Sequence, residues 1–300
     1  MCLRFHAPLT ILNRERTWDK MREITCAAIS ELVEKLCVEA ATLLPADLCR
    51  VIEALEEKEE SPVGREILRD IRDNYTLARN RGVPICQDTG MAVVFLRLGQ
   101  EVHITGGSLM EAVNEGVRRG YVDGKLRCSV VKDPLRRENT GDNTPAVLHI
   151  EITEGDECTV TIAPKGFGSE NMSAMRMFTP AATREDIENW IAECVNTAGS
   201  NPCPPVILGV GLGGTIEQCA LEAKKALLAP MDQPNPDPYY DDMEQKTLEK
   251  INRLGIGPQG MGGRVTALAV HIRPTATHIA GLPCVVNMSC HATRHAEGHL

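Results

Sequence analysis

Residues 83–90 read VPICQDTG, and the hydrophobic period of the chain changes across them. Upstream, apolar residues recur at helical spacing: Ile24, Ala28, Leu32 and Leu36 fall four apart, and Leu48, Val51, Ile52 and Leu55 follow i, i+3, i+4, i+7. Ser61 and Pro62 supply an N-cap and a first-turn proline for a third helix, which is expected to end near Gly82. Downstream the period shortens to that of strands. MAVVFLRL and EVHIT, on either side of Gly99 and Gln100, read as a β-hairpin, and AVLHIEIT and CTVTIAP, on either side of an acidic turn, read as a second. Between them Ser108 and Glu111 have the spacing of a capping box that opens a helix.

Further along, Thr183 to Ala198 reads as a helix with Ile187, Trp190, Ile191, Cys194 and Val195 on one face, and PPVILGVG as a short buried strand. Thr215 to Leu228 and Asp242 to Leu254 read as helices, the second stopped by Gly255, while RVTALAVHI and PCVVNMSC read as strands. MDQPNPDPYYDD, residues 231–242, reads as a long surface loop rather than a domain boundary. Strands and helices mix without regular βα alternation, so the expected class is α+β, a helical N-terminal third followed by mixed strands and helices. The expected organisation is a peripheral N-terminal extension, residues 1–20, and one domain, residues 21–300.

Composition narrows the function classes. A chain of 300 residues can bury a core without disulfide staples, and with 43% hydrophobic but only 3% aromatic residues that core must be largely aliphatic. The net charge of −9 argues against a general nucleic-acid or membrane-surface binder, which needs a positive footprint. The longest uncharged stretch, Cys194 to Ile216, is broken by NPCPP and several glycines and is no transmembrane helix. APLTIL near the N-terminus is too short for a signal-peptide core, so a cytoplasmic protein is expected.

The 12 cysteines are too few and too scattered for a disulfide scaffold. Cys26, Cys37, Cys49, Cys194 and Cys219 fall on helical apolar stripes, where cysteine is a small buried hydrophobe. Cys86, Cys203 and Cys290 lie instead in loops beside strands, two of them flanked by proline, which stiffens the backbone around a soft ligand. Three thiolates on one iron–sulfur cluster would leave an iron with an open position. Spacing alone leaves this open beside three unconnected structural or redox-sensitive cysteines.

CQDTG, KGFGSENMS, NPCPPVILGVGLGGT, NRLGIGPQGMGG and VNMSCHATRH, in this order, resemble the α subunit or N-terminal half of the iron–sulfur-dependent class I fumarate hydratases, a family that also includes L-tartrate dehydratase. The resemblance implies a [4Fe–4S] cluster held by Cys86, Cys203 and Cys290, with Cys284 a buried strand residue. It implies substrate contacts from Gln87, Arg127, Gly168 and His278, and catalytic roles for Asp88 and His278, Asp88 in proton transfer or in orienting the group that performs it. A dicarboxylate suits an arginine that binds carboxylates bidentately and a histidine that titrates near neutrality. Phe167 stands where the family usually has glycine. The implied reaction is the reversible hydration of fumarate to L-malate, with L-tartrate as the near alternative and the open iron as Lewis acid. The resemblance also implies a fumarate hydratase β subunit that completes the site, in an assembly expected to be (αβ)2.

Other readings compete. Asp88-Thr89-Gly90 also reads as a turn closed by a side-chain-to-backbone bond. Gly209 to Gly214 satisfies the dinucleotide pattern G-x-G-x-x-G between a strand and a helix, but Gly255 to Gly260 satisfies it too, and no second strand ending in an acidic residue follows the first match. A non-catalytic subunit holding tetrahedral zinc would need a fourth ligand such as His291 or His295.

Overall fold

The computed structural model describes residues 21–300. The expected N-terminal extension, residues 1–20, lies outside the described residues. The chain runs β1 (Arg22–Thr25), α1 (Cys26–Thr42), α2 (Ala46–Lys58), α3 (Pro62–Arg81), β2 (Met91–Gly99), β3 (Val102–Thr105), α4 (Leu109–Val122), β4 (Val147–Thr153) and β5 (Cys158–Lys165). It continues with α5 (Phe167–Glu170), β6 (Ala174–Phe178), α6 (Arg184–Ala198), β7 (Val206–Gly213), α7 (Ile216–Ala226), α8 (Pro238–Asn252), β8 (Ala267–Thr275), β9 (Leu282–Ser289) and β10 (Ala296–His299). This is an α+β fold with a helical N-terminal third.

Local chemistry sets the helix ends. Ser61 Oγ accepts from Gly64 N, Pro62 opens α3, and Gly82 ends it in the left-handed region at φ 62°. Ser108 caps α4, and Thr183 with Asp186 forms a reciprocal capping box at α6. Two expectations shift. The buried stripe of α1 is Cys26, Ile29, Val33, Leu36 and Cys37, whereas Ile24 belongs to β1 and Ala28 and Leu32 are half-buried. The helix expected from Asp242 begins at Pro238, because Asp237 caps it, so the loop read over 231–242 is shorter than expected.

Neither expected hairpin forms. The described strands make a β1–β3 pair, a sheet of order β10-β5-β2-β4 and a sheet of order β6-β9-β7-β8. β3 pairs in parallel with β1 rather than with β2, and β4 and β5 flank β2 instead of pairing with each other. The physical reason is burial. β2 is buried continuously from Ala92 to Leu96 and so takes an interior position, whereas β4 exposes Ile150, Glu151 and Ile152 and sits at the edge.

Helices α1 and α4 cover the first sheet with Ile29, Val33, Leu36, Val113 and Val117 against Val94, Leu96 and Ile162. Helices α6 and α8 pack Ile191, Val195, Met243 and Ile251 against Leu208, Val210, Val286 and Met288 of the second. The other face of that sheet meets α2 and α3 through Leu48, Ile52, Leu68 and Ile207. Cys37, Cys219 and Cys284 are fully buried, and burial pushes the thiols of Cys37 up to about 12 and Cys219 up to about 11, as expected for inert core residues.

The glycines of the dinucleotide-like pattern have a packing role. A Cβ on Gly209 would stand 2.1 Å from Ala223 O, and one on Gly211 2.0 Å from Cys219 O, so both residues let α7 lie against β7. Among the described residues no helix is long and apolar enough to cross a membrane.

Candidate active site

Sheet register brings distant loops to one place. Ile207 near the start of β7 pairs with Ser289 at the end of β9, so the loops carrying Cys203 and Cys290 emerge together. Met91 at the start of β2 pairs with Lys165 at the end of β5, which places CQDTG beside KGFGSEN. Arg294 Nη2 joins the two groups by donating to Asp88 O at 2.6 Å, and within the second Phe167 N donates to Asp88 Oδ2 at 3.0 Å.

Each thiol loop is held by identifiable contacts. Ile85, just before Cys86, donates its N–H to Ala41 O at 3.0 Å and accepts from Asn74 Nδ2 at 2.9 Å. Cys203 is exposed and left-handed, at φ 56°, a conformation that costs a non-glycine residue about 1–3 kcal/mol and persists only where its surroundings impose it. Those surroundings include Gln259, itself at φ 51°, whose backbone N–H and Nε2 both donate to Pro204 O, at 2.7 and 2.9 Å. His291 Nδ1 lies 3.1 Å from Cys203 O and 3.2 Å from Gln259 Nε2, which ties the Cys203 loop to the Cys290 loop. Thr293 closes the turn after Cys290 by donating its N–H and Oγ1 to Cys290 O, at 3.0 and 2.8 Å.

The thiols sense one another. Partial desolvation of the thiol pushes Cys203 up, and repulsion from Cys290 and Cys86 adds to it. Burial also pushes Cys290 up, opposed by the positive charges of Arg294 and Lys165. Arg294 is buried, with Nη1 on Ala292 O and Nη2 on Asp88 O, and so brings a fixed positive charge under the site.

Asp88 and Thr89 organise the CQDTG loop. Asp88 Oδ1 accepts from Gly90 N at 3.0 Å, the turn bond of the simpler reading, while Oδ2 anchors Phe167. Thr89 Oγ1 accepts from Arg127 N at 2.9 Å and donates to Arg127 O at 3.1 Å, so the loop carries Arg127 with it. Tyr121 Oη donates to Thr89 O and Gly90 O, each at 3.1 Å, from a fully buried position. Gly90 has φ 79°, and a Cβ there would stand 2.8 Å from the Lys165 backbone.

Beside this loop lies a buried ionic network. Lys165 Nζ is 2.9 Å from Ser169 Oγ and 3.3 Å from Glu170 Oε2. Glu170 also binds Lys224 at 2.6 Å and Asn287 Nδ2 at 2.7 Å. Burial lowers the Lys165 ammonium to about 8 despite the attraction of Glu170. For Glu170 burial works the other way, but Lys165 and Lys224 outweigh it and hold the carboxyl below its usual range.

The structure therefore brings Cys86, Gln87, Asp88, Arg127, Cys203 and Cys290 to one region, with Gln87 and Arg127 exposed. Gly168 faces the same region, a Cβ there standing 3.8 Å from Asn201 O near the Cys203 loop. Phe167 in the glycine position is accommodated as the first residue of α5, with its ring exposed. His278 is not brought in. It lies in the exposed β8–β9 turn, where its Nδ1 accepts from Ala280 N at 3.1 Å, and all of β9 separates it from Cys290. Seven strand steps make that separation roughly 23 Å. Gln259, Arg294, Lys165 and Glu170 were not singled out from sequence, although each lies in or beside a motif that was.

The donor set bears on which metal group would fit. Among the described residues no three His, Cys, Asp or Glu side chains are arranged to hold a single metal ion. Cys86 and Cys290 lie near enough to Cys203 to oppose its ionisation, but the three thiols do not close around one ion, and His291 Nδ1 is occupied by Cys203 O. Three soft thiols on stiff loops, with Cys203 and Cys290 disfavoured as free thiolates, suit a multi-iron group whose positive charge would deprotonate them.

The family model described as Fumarate hydratase (Fumerase) matches residues 30–299. A Methanocaldococcus jannaschii protein named "Putative L(+)-tartrate dehydratase subunit alpha" is 40% identical over 275 residues, covering 89% of this chain and 96% of that protein. The L(+)-tartrate dehydratase subunits alpha of Escherichia coli strain K12 and Shigella boydii are each 29% identical over 269 residues, covering 89% of this chain and 88% of theirs. A match over nearly the whole described chain, with a relative at this identity, establishes that the chain belongs to the fumarate hydratase (Fumerase) family.

Proposed function

We propose that this chain is the α subunit of a [4Fe–4S]-dependent hydro-lyase that interconverts fumarate and L-malate, with the cluster on Cys86, Cys203 and Cys290. The observation that carries the reading is the convergence of these three loop thiols beside Asp88, Arg127 and the buried charge of Arg294. When bound, a cluster with one iron free of protein thiolate supplies a Lewis acid for the departing hydroxyl. The chain's own residues do the rest of the positioning. Arg127 and Gln87 are exposed beside the thiols and suit the carboxylates of a dicarboxylate. Asp88 locks the Cys86 loop to the Phe167 turn, which fixes where Gln87 and Gly168 present their polar groups.

The α-subunit names of the relatives support a β-subunit partner, and an (αβ)2 assembly is the form we propose. His278, a strand's length from the thiols of its own chain, would reach substrate only at the thiols of a second copy of this chain. L-tartrate dehydration is the second reading, favoured by the names of the same relatives. An anaerobic assay of the reconstituted α–β enzyme on L-malate and L-tartrate tests both. Faster turnover of malate supports fumarase, and faster turnover of tartrate selects the second reading. The cluster mechanism requires activity to fall in air and return with ferrous iron and reductant, so an oxygen-indifferent enzyme would overturn it.

A further inference from the structure

Among the described residues, β4 is an edge strand with an open side. Its one pairing among the described residues is to β2, in parallel, with Val93 opposite Val147 and Gly99 opposite Thr153. Gln100 N donates to Thr153 O at 2.8 Å, so Thr153 points its backbone groups toward β2. Along an extended strand this orientation alternates. Val147, His149, Glu151 and Thr153 therefore face β2, and Leu148, Ile150 and Ile152 turn their N–H and C=O groups outward, away from the sheet. Ile150 and Ile152 are 49% and 62% exposed, and the strand has no proline or lysine of the kind that usually blunts such an edge.

The sequence of this edge, VLHIEIT, is complementary to itself when reversed about Ile150. In an antiparallel pairing of two copies centred there, Ile150 meets Ile150, Leu148 meets Ile152, His149 meets Glu151 and Val147 meets Thr153. Every opposed pair then lies on one face, as the pleat demands. The residues with outward backbone groups are also those that fall at the hydrogen-bonded positions of this register. Apolar pairs occupy the face shared with Leu96 and Leu98, continuing the first core, and the histidine–carboxylate pairs occupy the other. A register shifted by one residue at either strand would set apolar against polar side chains and move the outward backbone groups out of step.

We infer that β4 is a homotypic docking edge: two copies of this chain pair β4 to β4 about a two-fold axis at Ile150, joining their β10-β5-β2-β4 sheets into one sheet of twice the width. This assignment rests on the edge alone and holds whichever dicarboxylate is the substrate.

The test combines sedimentation of the full chain, under reductant and in the presence of its copurifying partner, with amide hydrogen exchange. Wild type should contain two copies of this chain, with the amides of Leu148, Ile150 and Ile152 protected. Ile150→Lys, which opposes like charges at the axis, should halve the particle and release those amides. Ile152→Lys should do the same, which guards against a folding defect peculiar to one site. His149→Glu, facing Glu151, should weaken dimerisation at least tenfold, whereas His149→Gln, which sets no new charge beside Glu151 or the chain's own Lys224 and Lys225, should preserve it. A wild type with a single copy, a dimer untouched by Ile150→Lys, equal effects of the two His149 substitutions, or amides protected without a second copy would each overturn the proposal. The last result would show that the β subunit or residues 1–20 cover the edge instead.

Discussion

The two ends of the β7–β9 ladder differ in how much holds them. At the thiol end, His291 ties Cys203 to Gln259, Arg294 from the same loop reaches Asp88, and two non-glycine residues are kept left-handed. At the other end, the turn with His278 is closed by short local bonds, Ala280 N to His278 Nδ1 and Gly281 N to His278 O, and Ile279 is 91% exposed. One end is braced from several elements and carries the candidate chemistry. The other is a turn tied elsewhere through Thr277 Oγ1 to Gly214 O, and its histidine has no partner group from elsewhere in the described fold. Backbone strain and convergent hydrogen bonds thus mark the site within this chain more sharply than residue type does.

The largest expected difference between the ends is steric. Gly90→Ala places a methyl 2.8 Å from the Lys165 backbone at φ 79° and should cost about 2–4 kcal/mol in urea unfolding. Gly281→Ala meets nothing nearer than 3.6 Å and should stay within about 0.5 kcal/mol. Comparable losses at both glycines would erase the contrast.

A smaller effect separates metal retention from catalysis. Gln259 touches Pro204 and His291 but is no candidate ligand, so Gln259→Ala should speed iron loss to a chelator by about 10–100-fold. His278→Ala should leave that rate unchanged while lowering turnover of the assembled enzyme. Equal chelator rates for the two variants would remove Gln259 from the bracing.

The smallest effect is a pH slope. Glu59 is buried beneath the GMGGR segment that follows Gln259 and accepts from Ser61 N, Arg264 N and Val265 N. Burial opposes its charge, but these N–H bonds win and hold its carboxyl below the usual range. A carboxyl depressed in the folded state stabilises above its unfolded value, near pH ~4.3, and loses that contribution as pH falls toward the folded value. The urea midpoint of wild type should fall across that acid window more steeply than that of Glu59→Gln. Parallel curves would show that Glu59 contributes no such linkage.

Much of this was legible in the sequence where local chemistry decides. Ser61, Pro62 and Gly82 set the ends of α3, Thr183 and Asp186 set the start of α6, and the aliphatic runs of β7 and β9 announced buried strands. Sheet order was not legible, because turn residues such as Gly99 and Gln100 suggest a hairpin while the burial of β2 on both faces assigns its neighbours. For the site, motifs pointed to the thiol loops and to Arg127. They could not show that Gln259 reaches two loops or that Arg294 is buried under Asp88. Such facts depend on register and tertiary approach, which no local pattern encodes.

The central claim, that Cys86, Cys203 and Cys290 jointly hold one iron–sulfur group, is tested most directly by iron and acid-labile sulfide in anaerobically prepared protein. The account predicts about four irons and four sulfides per chain, lost in each of Cys86→Ser, Cys203→Ser and Cys290→Ser and kept in Cys284→Ser, whose thiol is buried in β9. Zinc without sulfide, or a cluster that survives serine at any of the three loop positions, would contradict it.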